Sequence, residues 1–274
     1  MIMPESLESF VSRVKSLEIQ GAQEIAVASL KFLRTYGKAH GFGKKFSDAL
    51  DELEASRPTA VVMHNCFEEL RKSPSSSSIE KLLAKIKSSN RKIAENAKFI
   101  KWGDTVMVHC HSGTAIAVLK HAWKSGKKIS VIATETEPKQ QGVKTARELA
   151  EAAVSVTLIT DSAISYFMPQ VDYVIIGSDA LRHEGNVNKI GSLNMALAAR
   201  EFGKPYYVAA STLKLDGRKK VEIEMRPPSE VYRSIKGVKV SNPAFDITPW
   251  KFVSRIITEK GVMTPGNLMK LMKR

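Results

Sequence analysis

Residues 171–192 read VDYVIIGSDALRHEGNVNKIGS. The apolar run 173–176 is too short for a helix and rich in β-branched residues. It predicts a strand buried on both faces and therefore parallel to its neighbours. It ends in Gly177-Ser178-Asp179, which sets a carboxylate just past the C-terminal end of the strand, the edge at which open α/β sheets bind ligands. Asn188-Lys189-Ile190-Gly191 follows, and then an apolar-periodic helix over 193–200. An amide, a cation and a glycine at a helix mouth suit a phosphate, because the first backbone N–H groups there have no intrahelical partners. A carboxylate and an anion cradle this close together predict a phosphorylated small molecule as ligand. A plainer role fits the same residues, with Asp179 as a helix cap and Lys189 on the surface.

The alternation extends to both sides. Strands are predicted at 105–108, 129–133, 155–159 and 205–209, with helices at 115–124, 143–152 and 163–168 between them. Short links join them, the pattern of a doubly wound parallel sheet. Strand after strand runs into a small, polar or acidic cluster: His109-Cys110-His111-Ser112-Gly113, Thr134-Glu135-Thr136-Glu137-Pro138, Thr160-Asp161-Ser162. Neither G-x-G-x-x-G nor G-x-x-x-x-G-K-[ST] occurs, which removes the dinucleotide and P-loop fingerprints. Further on, 221–225 alternates as an edge strand would, and 242–249 is a turn-rich segment carrying Phe245 and Asp246. Residues 252–258 are strand-like, and a short basic helix follows Pro265.

The first hundred residues read as helical. Leu7, Phe10, Val11, Val14 and Leu17 fall at helical spacing, Gln20-Gly21-Ala22 interrupts, and a second helix covers 25–36. A turn at 40–43 leads to a helix over 46–53, which ends before Arg57-Pro58 because proline disfavours helix at its predecessor. The apolar stretch 59–63 fits an extended piece or a helix start. Ser78 is the expected N-cap of a long basic helix over 79–100. The organisation expected is an N-terminal helical domain, 1–100, followed by a ligand-binding α/β domain, 101–274.

Composition narrows the function classes. With 43% hydrophobic and 26% charged residues the chain is an ordinary globular one. No apolar run approaches the roughly 20 residues of a membrane span, and no signal-peptide layout opens the sequence, so a cytoplasmic location away from membranes is expected. Two cysteines, Cys66 and Cys110, make no disulfide framework, and no Cys/His spacing fits zinc. Neither a metal nor a cofactor is expected. The formal net charge of +14 favours acidic partners, yet it also suits lysine-rich proteins of hot environments. The lysines are spread from end to end without an RNA-recognition motif or an aromatic-interleaved basic stripe, so specific nucleic-acid binding is not expected.

Cys110 and Asp179 form the pair of chemical interest. Both lie just beyond strand ends and are expected over one sheet edge, where a thiol and a carboxylate make an acid/base pair. The Cys110 loop opens a helix, whose dipole and nearby donors are expected to lower the thiol pKa. The alternative for Cys110 is a small buried apolar residue. His109 and His111 point to opposite faces if the chain is extended and are poor joint metal ligands, so one of them is expected to pack or to hold a loop by a hydrogen bond.

The strings VMVHCHSGTAIAVLK, TETEPKQQG, VIIGSDALRHEGNVNKIGS, GKPYYVAAST, NPAFDITP and ITEKGVMTP, in this order, resemble one superfamily across nearly the whole chain. It unites the regulatory alpha, beta and delta subunits of translation initiation factor 2B with isomerases of methylthioribose 1-phosphate and ribose 1,5-bisphosphate. The resemblance implies a helical N-terminal domain, a Rossmann-like C-terminal domain and a homodimer. It implies that Cys110 and Asp179 match the isomerases' acid/base pair. It implies further that Asn188, Lys189, Ser112, Gly113, Gly21, Ala22 and Arg57 match residues that meet substrate or phosphate. One position departs: Gln20 stands where the enzymes carry an arginine on a phosphate. That forfeits a charge-assisted contact of about 1.5–3 kcal/mol. Gln20 and the basic balance favour a non-catalytic, archaeal alpha-like regulatory subunit that binds the alpha subunit of initiation factor 2 and keeps a sugar-phosphate or nucleotide pocket. The intact Cys110–Asp179 pair favours the alternative, an aldose–ketose isomerase of ribose 1,5-bisphosphate or methylthioribose 1-phosphate.

Overall fold

Apolar residues three and four apart build the helices of the first unit, α1 (Leu7–Lys15), α2 (Ala22–His40), α3 (Lys44–Ser56) and α4 (Val61–Lys72). The computed structural model describes residues 5–16, 18–19, 21–218 and 223–272. It divides into two units, Met1–Ser89 and Asn90–Arg274, with the division falling inside α5 (Ser76–Asn96). Phe10 and Val14 of α1, Leu30 and Leu33 of α2, Phe46 and Leu50 of α3, and Met63 and Phe67 of α4 are buried in the first unit. Each such side chain contributes about 1.5–3 kcal/mol on leaving water. The open reading of 59–63 resolves as a helix start at Val61. The expected cap Ser78 lies inside α5. Ser75 takes the capping place instead, its Oγ accepting from Ser78 N at 3.1 Å, because the serine run offers an earlier oxygen. Leu17 and Gln20 lie outside the described residues.

In the second unit strands alternate with helices: β1 (Thr105–Val108), α6 (Gly113–Lys124), β2 (Ser130–Thr134), α7 (Gln141–Glu151), β3 (Ser155–Ile159), α8 (Ile164–Phe167) and β4 (Tyr173–Ile176). After them come β5 (Ala180–Leu181), β6 (Gly185–Lys189), α9 (Ser192–Glu201), β7 (Tyr206–Ala209), β8 (Phe245–Pro249), β9 (Arg255–Thr258), β10 (Gly261–Met263) and α10 (Pro265–Met272). The main sheet runs β10-β9-β7-β4-β1-β2-β3, parallel throughout except for the antiparallel edge pair β10–β9. Its two faces are buried by separate apolar clusters, as a parallel sheet requires. Val106, Val108 and Ile175 face one of them, while Met107, Val174 and Ile176 face the other. β1 and β4 are neighbours, paired Val106 to Tyr173 and Met107 to Val174. The chain leaves β1 toward β2 and β3 and returns on the far side at β4, so the order reverses between these two strands. Such a reversal opens a crevice past the carboxyl ends of the strands.

A second sheet, β5-β6-β8, is antiparallel and corrects the expectation at two places. Asn188 and Lys189 belong to a strand, and the turn-rich segment around Phe245 is its partner, with Asn188 opposite Asp246. GNVNK shows little of the apolar alternation that marks a strand, and its longer partner, β8, comes from a segment far along the chain, with β5 pairing on its other side. Of the alternating stretch 221–225, residues 221 and 222 lie outside the described residues, and Met225 makes an isolated bridge to Pro243. No described helix is long and apolar enough to cross a membrane.

Candidate active site

The turns that leave the C-terminal ends of β1, β2, β3 and β4 carry the polar residues. Cys110, two residues past β1, has φ +65°, a left-handed backbone that costs a side-chain-bearing residue about 1–2 kcal/mol. Its N–H donates to Thr136 Oγ1 at 2.9 Å, and its carbonyl accepts from Thr145 Oγ1 at 2.8 Å. Ser112 caps α6 by accepting from Ala115 N at 3.3 Å, and Gly113 begins that helix. Gly177, just past β4, lies against Ser112, such that a Cβ on it would stand 2.2 Å from the serine Oγ. The turns after β1 and β4 therefore touch, and Asp179 follows two residues later. Its N–H donates to Val187 O of β6 at 2.8 Å.

His109 is the loop holder expected of one of the two histidines. Nε2–H donates to Ile190 O at 2.7 Å, and Nδ1 lies 2.7 Å from Thr134 Oγ1. Burial holds its pKa below the ordinary histidine value, so the ring is neutral. Gly191 answers this packing twice: its φ is +101°, and a Cβ there would stand 2.9 Å from the His109 ring.

The electrostatics correct one expectation about Cys110. Burial first, and the Asp179 carboxylate after it, push the thiol up to about 12. The His111 backbone hydrogen bond and the Lys189 charge pull the other way, and Asp161 adds a small upward push. Desolvation outweighs the dipole and the donors, so Cys110 is a protonated thiol at neutral pH. A protonated thiol beside a carboxylate can give a proton while the carboxylate takes one.

The anion cradle is also rebuilt by the structure. The Asp246 carboxylate already occupies the mouth of α9, accepting from Gly191 N at 2.8 Å and from Leu193 N at 3.1 Å. Burial raises its pKa to about 6 in spite of these amides. Asn188 donates to Ser192 Oγ at 2.9 Å. Lys189 remains: 7% exposed, it makes no side-chain hydrogen bond or ion pair among the described residues, and its charge acts on Cys110 and His109. A second buried cation, Lys214, has almost no signal in the sequence. It follows β7, is 5% exposed, and its Nζ donates to the carbonyl of Ser178, next to Asp179. A lysine shortly after a strand end was the only signal for it. Cys110, Ser112, Gly113, Asp179, Asn188 and Lys189 all belong to the second unit. Gly21 and Ala22 open α2 in the first, with φ +91° at Gly21, and Arg57 is the residue that ends α3. Gln20, the departure from the enzymes' pattern, lies outside the described residues.

The sequence profile of the initiation factor 2 subunit family matches residues 18–265. The chain belongs to this family. Among its members, the ribose 1,5-bisphosphate isomerase of Methanocaldococcus jannaschii is 40% identical over 276 residues, 92% of this chain and 90% of the relative. That of Archaeoglobus fulgidus is 38% identical over 287 residues, 96% of this chain and 91% of the relative. In fold the chain is similar to the crystal structure of translation initiation factor eIF-2B from Pyrococcus horikoshii, with TM-score 0.86, 28% identity, and coverage of 97% of this chain and 99% of that one. These relatives overturn the regulatory alpha-like reading. Both of these sequence relatives carry the isomerase name, and neither Gln20 nor net charge outweighs that. A lost phosphate contact lowers affinity without removing an acid/base pair, and net charge informs on partners rather than on chemistry.

Proposed function

We propose that the protein is an aldose–ketose isomerase of a ribose 1-phosphate ester, with ribose 1,5-bisphosphate as substrate. The observation that carries this reading is the thiol of Cys110 and the carboxylate of Asp179 on touching turns past two neighbouring parallel strands, close enough for the carboxylate to raise the thiol pKa. Similarity to the archaeal bisphosphate isomerases supports the choice of substrate. Two buried lysines at the same edge suit an ester with more than one phosphate.

A phosphate ester on carbon 1 leaves no anomeric hydroxyl proton to lose, which blocks ordinary ring opening. The Cys110 thiol instead gives its proton to the ring oxygen as the bond from that oxygen to carbon 1 breaks. Asp179 takes the proton of the carbon 2 hydroxyl, and the hydrogen on carbon 2 moves to carbon 1 with its electron pair. Carbon 2 becomes the ketone and carbon 1 a methylene that keeps its phosphate. Solvent returns the proton from carboxyl to thiolate, so no oxidant or reductant is consumed. A high thiol pKa serves this role, since an acid must be protonated before it can donate. Lys189 is assigned to a phosphoryl oxygen, and Ser112, Gly113 and Asn188 to the walls of the crevice. A cytoplasmic homodimer is the setting that goes with this reading.

The test is incubation with ribose 1,5-bisphosphate and, separately, methylthioribose 1-phosphate, with ketose formation followed by carbon-13 NMR. The expected result is turnover of the bisphosphate with kcat/KM at least about tenfold above that of the monophosphate. No turnover of either ester refutes the proposal.

A further inference from the structure

We infer that Thr136 and Thr145 are positioning residues that hold Cys110 in its left-handed backbone, so that the thiol meets the crevice opposite Asp179. The inference deepens the isomerase reading and rests on it for its kinetic consequence. Both hydroxyls come from one connection, the turn after β2 and the helix that follows, and they grip one residue of the neighbouring turn at both of its peptide groups. Thr136 Oγ1 accepts from Cys110 N at 2.9 Å, and Thr145 Oγ1 donates to Cys110 O at 2.8 Å. Both threonines are fully buried, at 0% and 1% exposure.

The grip is itself anchored. Thr136 has φ +62°, and its N–H donates to Asp161 Oδ1 at 2.9 Å, while Glu137 N donates to Asp161 Oδ2 at 2.8 Å. Asp161 stands at the end of β3, so three successive strand ends are chained together: Asp161 holds Thr136, and Thr136 holds Cys110. Thr145 is set by the close seat of α7, where a Cβ on Gly142 would stand 1.6 Å from Thr134 O. His111 Nδ1 lies 3.0 Å from the Thr145 Oγ1, which engages the hydroxyl from a second side. A left-handed non-glycine residue persists only where its surroundings over-determine it, and such residues concentrate at functional sites. The hydrogen bonds of both threonines to Cys110 go to its backbone. They act through Cys110, whose thiol displaced by about 1 Å would be expected to lose on the order of a hundredfold in rate.

The test uses Thr136→Val and Thr145→Val, which remove the hydroxyl, with Thr136→Ser and Thr145→Ser, which keep it. For turnover of ribose 1,5-bisphosphate, the valine variants should lose 10- to 100-fold in kcat with KM changed by less than about threefold, and the serine variants should stay within about threefold of the parent. Iodoacetamide labelling of Cys110, read by peptide mass spectrometry so that Cys66 does not contribute, supplies a readout independent of isomerisation. Cys110 is half-buried, and with its hold released the thiol of the valine variants should label at least about tenfold faster at pH 8, while the serine variants should label like the parent. Valine variants that keep the parent's kcat and labelling rate overturn the inference, as do serine variants that lose as much as the valine ones. A parent without isomerase activity would sink the proposed function instead, and the labelling comparison would still decide the clamp.

Discussion

Replacing Lys189 by methionine should move stability and ligand affinity in opposite directions. The ammonium is buried beside Cys110 and has no hydrogen-bond or ion-pair partner among the described residues. A buried charge left without a counterion costs the folded state about 1–3 kcal/mol, and methionine fills a similar volume without that cost. At roughly 2–4 °C per kcal/mol for a unit of this size, ligand-free Lys189→Met should melt a few degrees above the parent. The phosphate ester should lose a charge-assisted hydrogen bond of about 1.5–3 kcal/mol, which corresponds to a 10- to 150-fold rise in Kd. The lost charge also removes a pull that lowers the Cys110 pKa, so the thiol becomes a still weaker acid. Calorimetric melting with and without ribose 1,5-bisphosphate reads both effects, since a ligand that binds only the folded state raises Tm by mass action. A variant that melts below the parent and still gains the parent's full ligand-induced shift would refute the assignment of Lys189 to the phosphate.

Other outcomes follow from the same geometry. Gly177→Ala puts a methyl 2.2 Å from Ser112 Oγ and 2.5 Å from its Cβ and should cost about 1–3 kcal/mol in urea unfolding, with part recovered when Ser112→Gly, which removes both atoms, is added. No recovery would mean the turns after β1 and β4 do not press on each other. His109 is held neutral by burial, so as pH falls below about 6.5 the unfolded chain takes up a proton that the folded one refuses, and stability is lost. Melting between pH 7.5 and 5.5 should therefore fall more steeply for the parent than for His109→Asn. Asp246 works in the opposite sense, because its folded pKa of about 6 lies above the ordinary 3.8. Its contribution grows as pH falls from 6 toward 4 and is lost on the way back up, so the stability of the parent relative to Asp246→Asn should rise on acidification. A flat difference between the two proteins across that range would show that the carboxylate is not desolvated.

The parallel sheet was legible because its strands are apolar runs that stop at polar clusters, and that punctuation also marked Cys110 and Asp179. The second sheet was not legible in the same way. In GNVNK a single apolar residue sits between two asparagines, and of its two partners one, β5, is only two residues long while the other, β8, begins only at Phe245. The mouth of α9 was misread for a related reason, since the group that satisfies its amides, Asp246, lies far along the chain. Local patterns say that a helix N-terminus needs an acceptor; they cannot say which one arrives. The direction of the thiol pKa was missed because dipole and donors can be read from neighbouring residues, whereas burial depends on the whole fold. Lys214 left almost no trace, as one lysine among many in a strongly basic chain.

At the centre of the account stand one sulfur atom and one carboxylate acting together on a bound sugar phosphate. Single-turnover isomerisation of ribose 1,5-bisphosphate by the parent, Cys110→Ser and Asp179→Asn, with the Kd of each measured alongside, tests this most directly. The account predicts turnover by the parent, loss of at least about a thousandfold in either variant, and Kd values within about tenfold of the parent. Turnover that survives in either variant at near the parent's rate would contradict it.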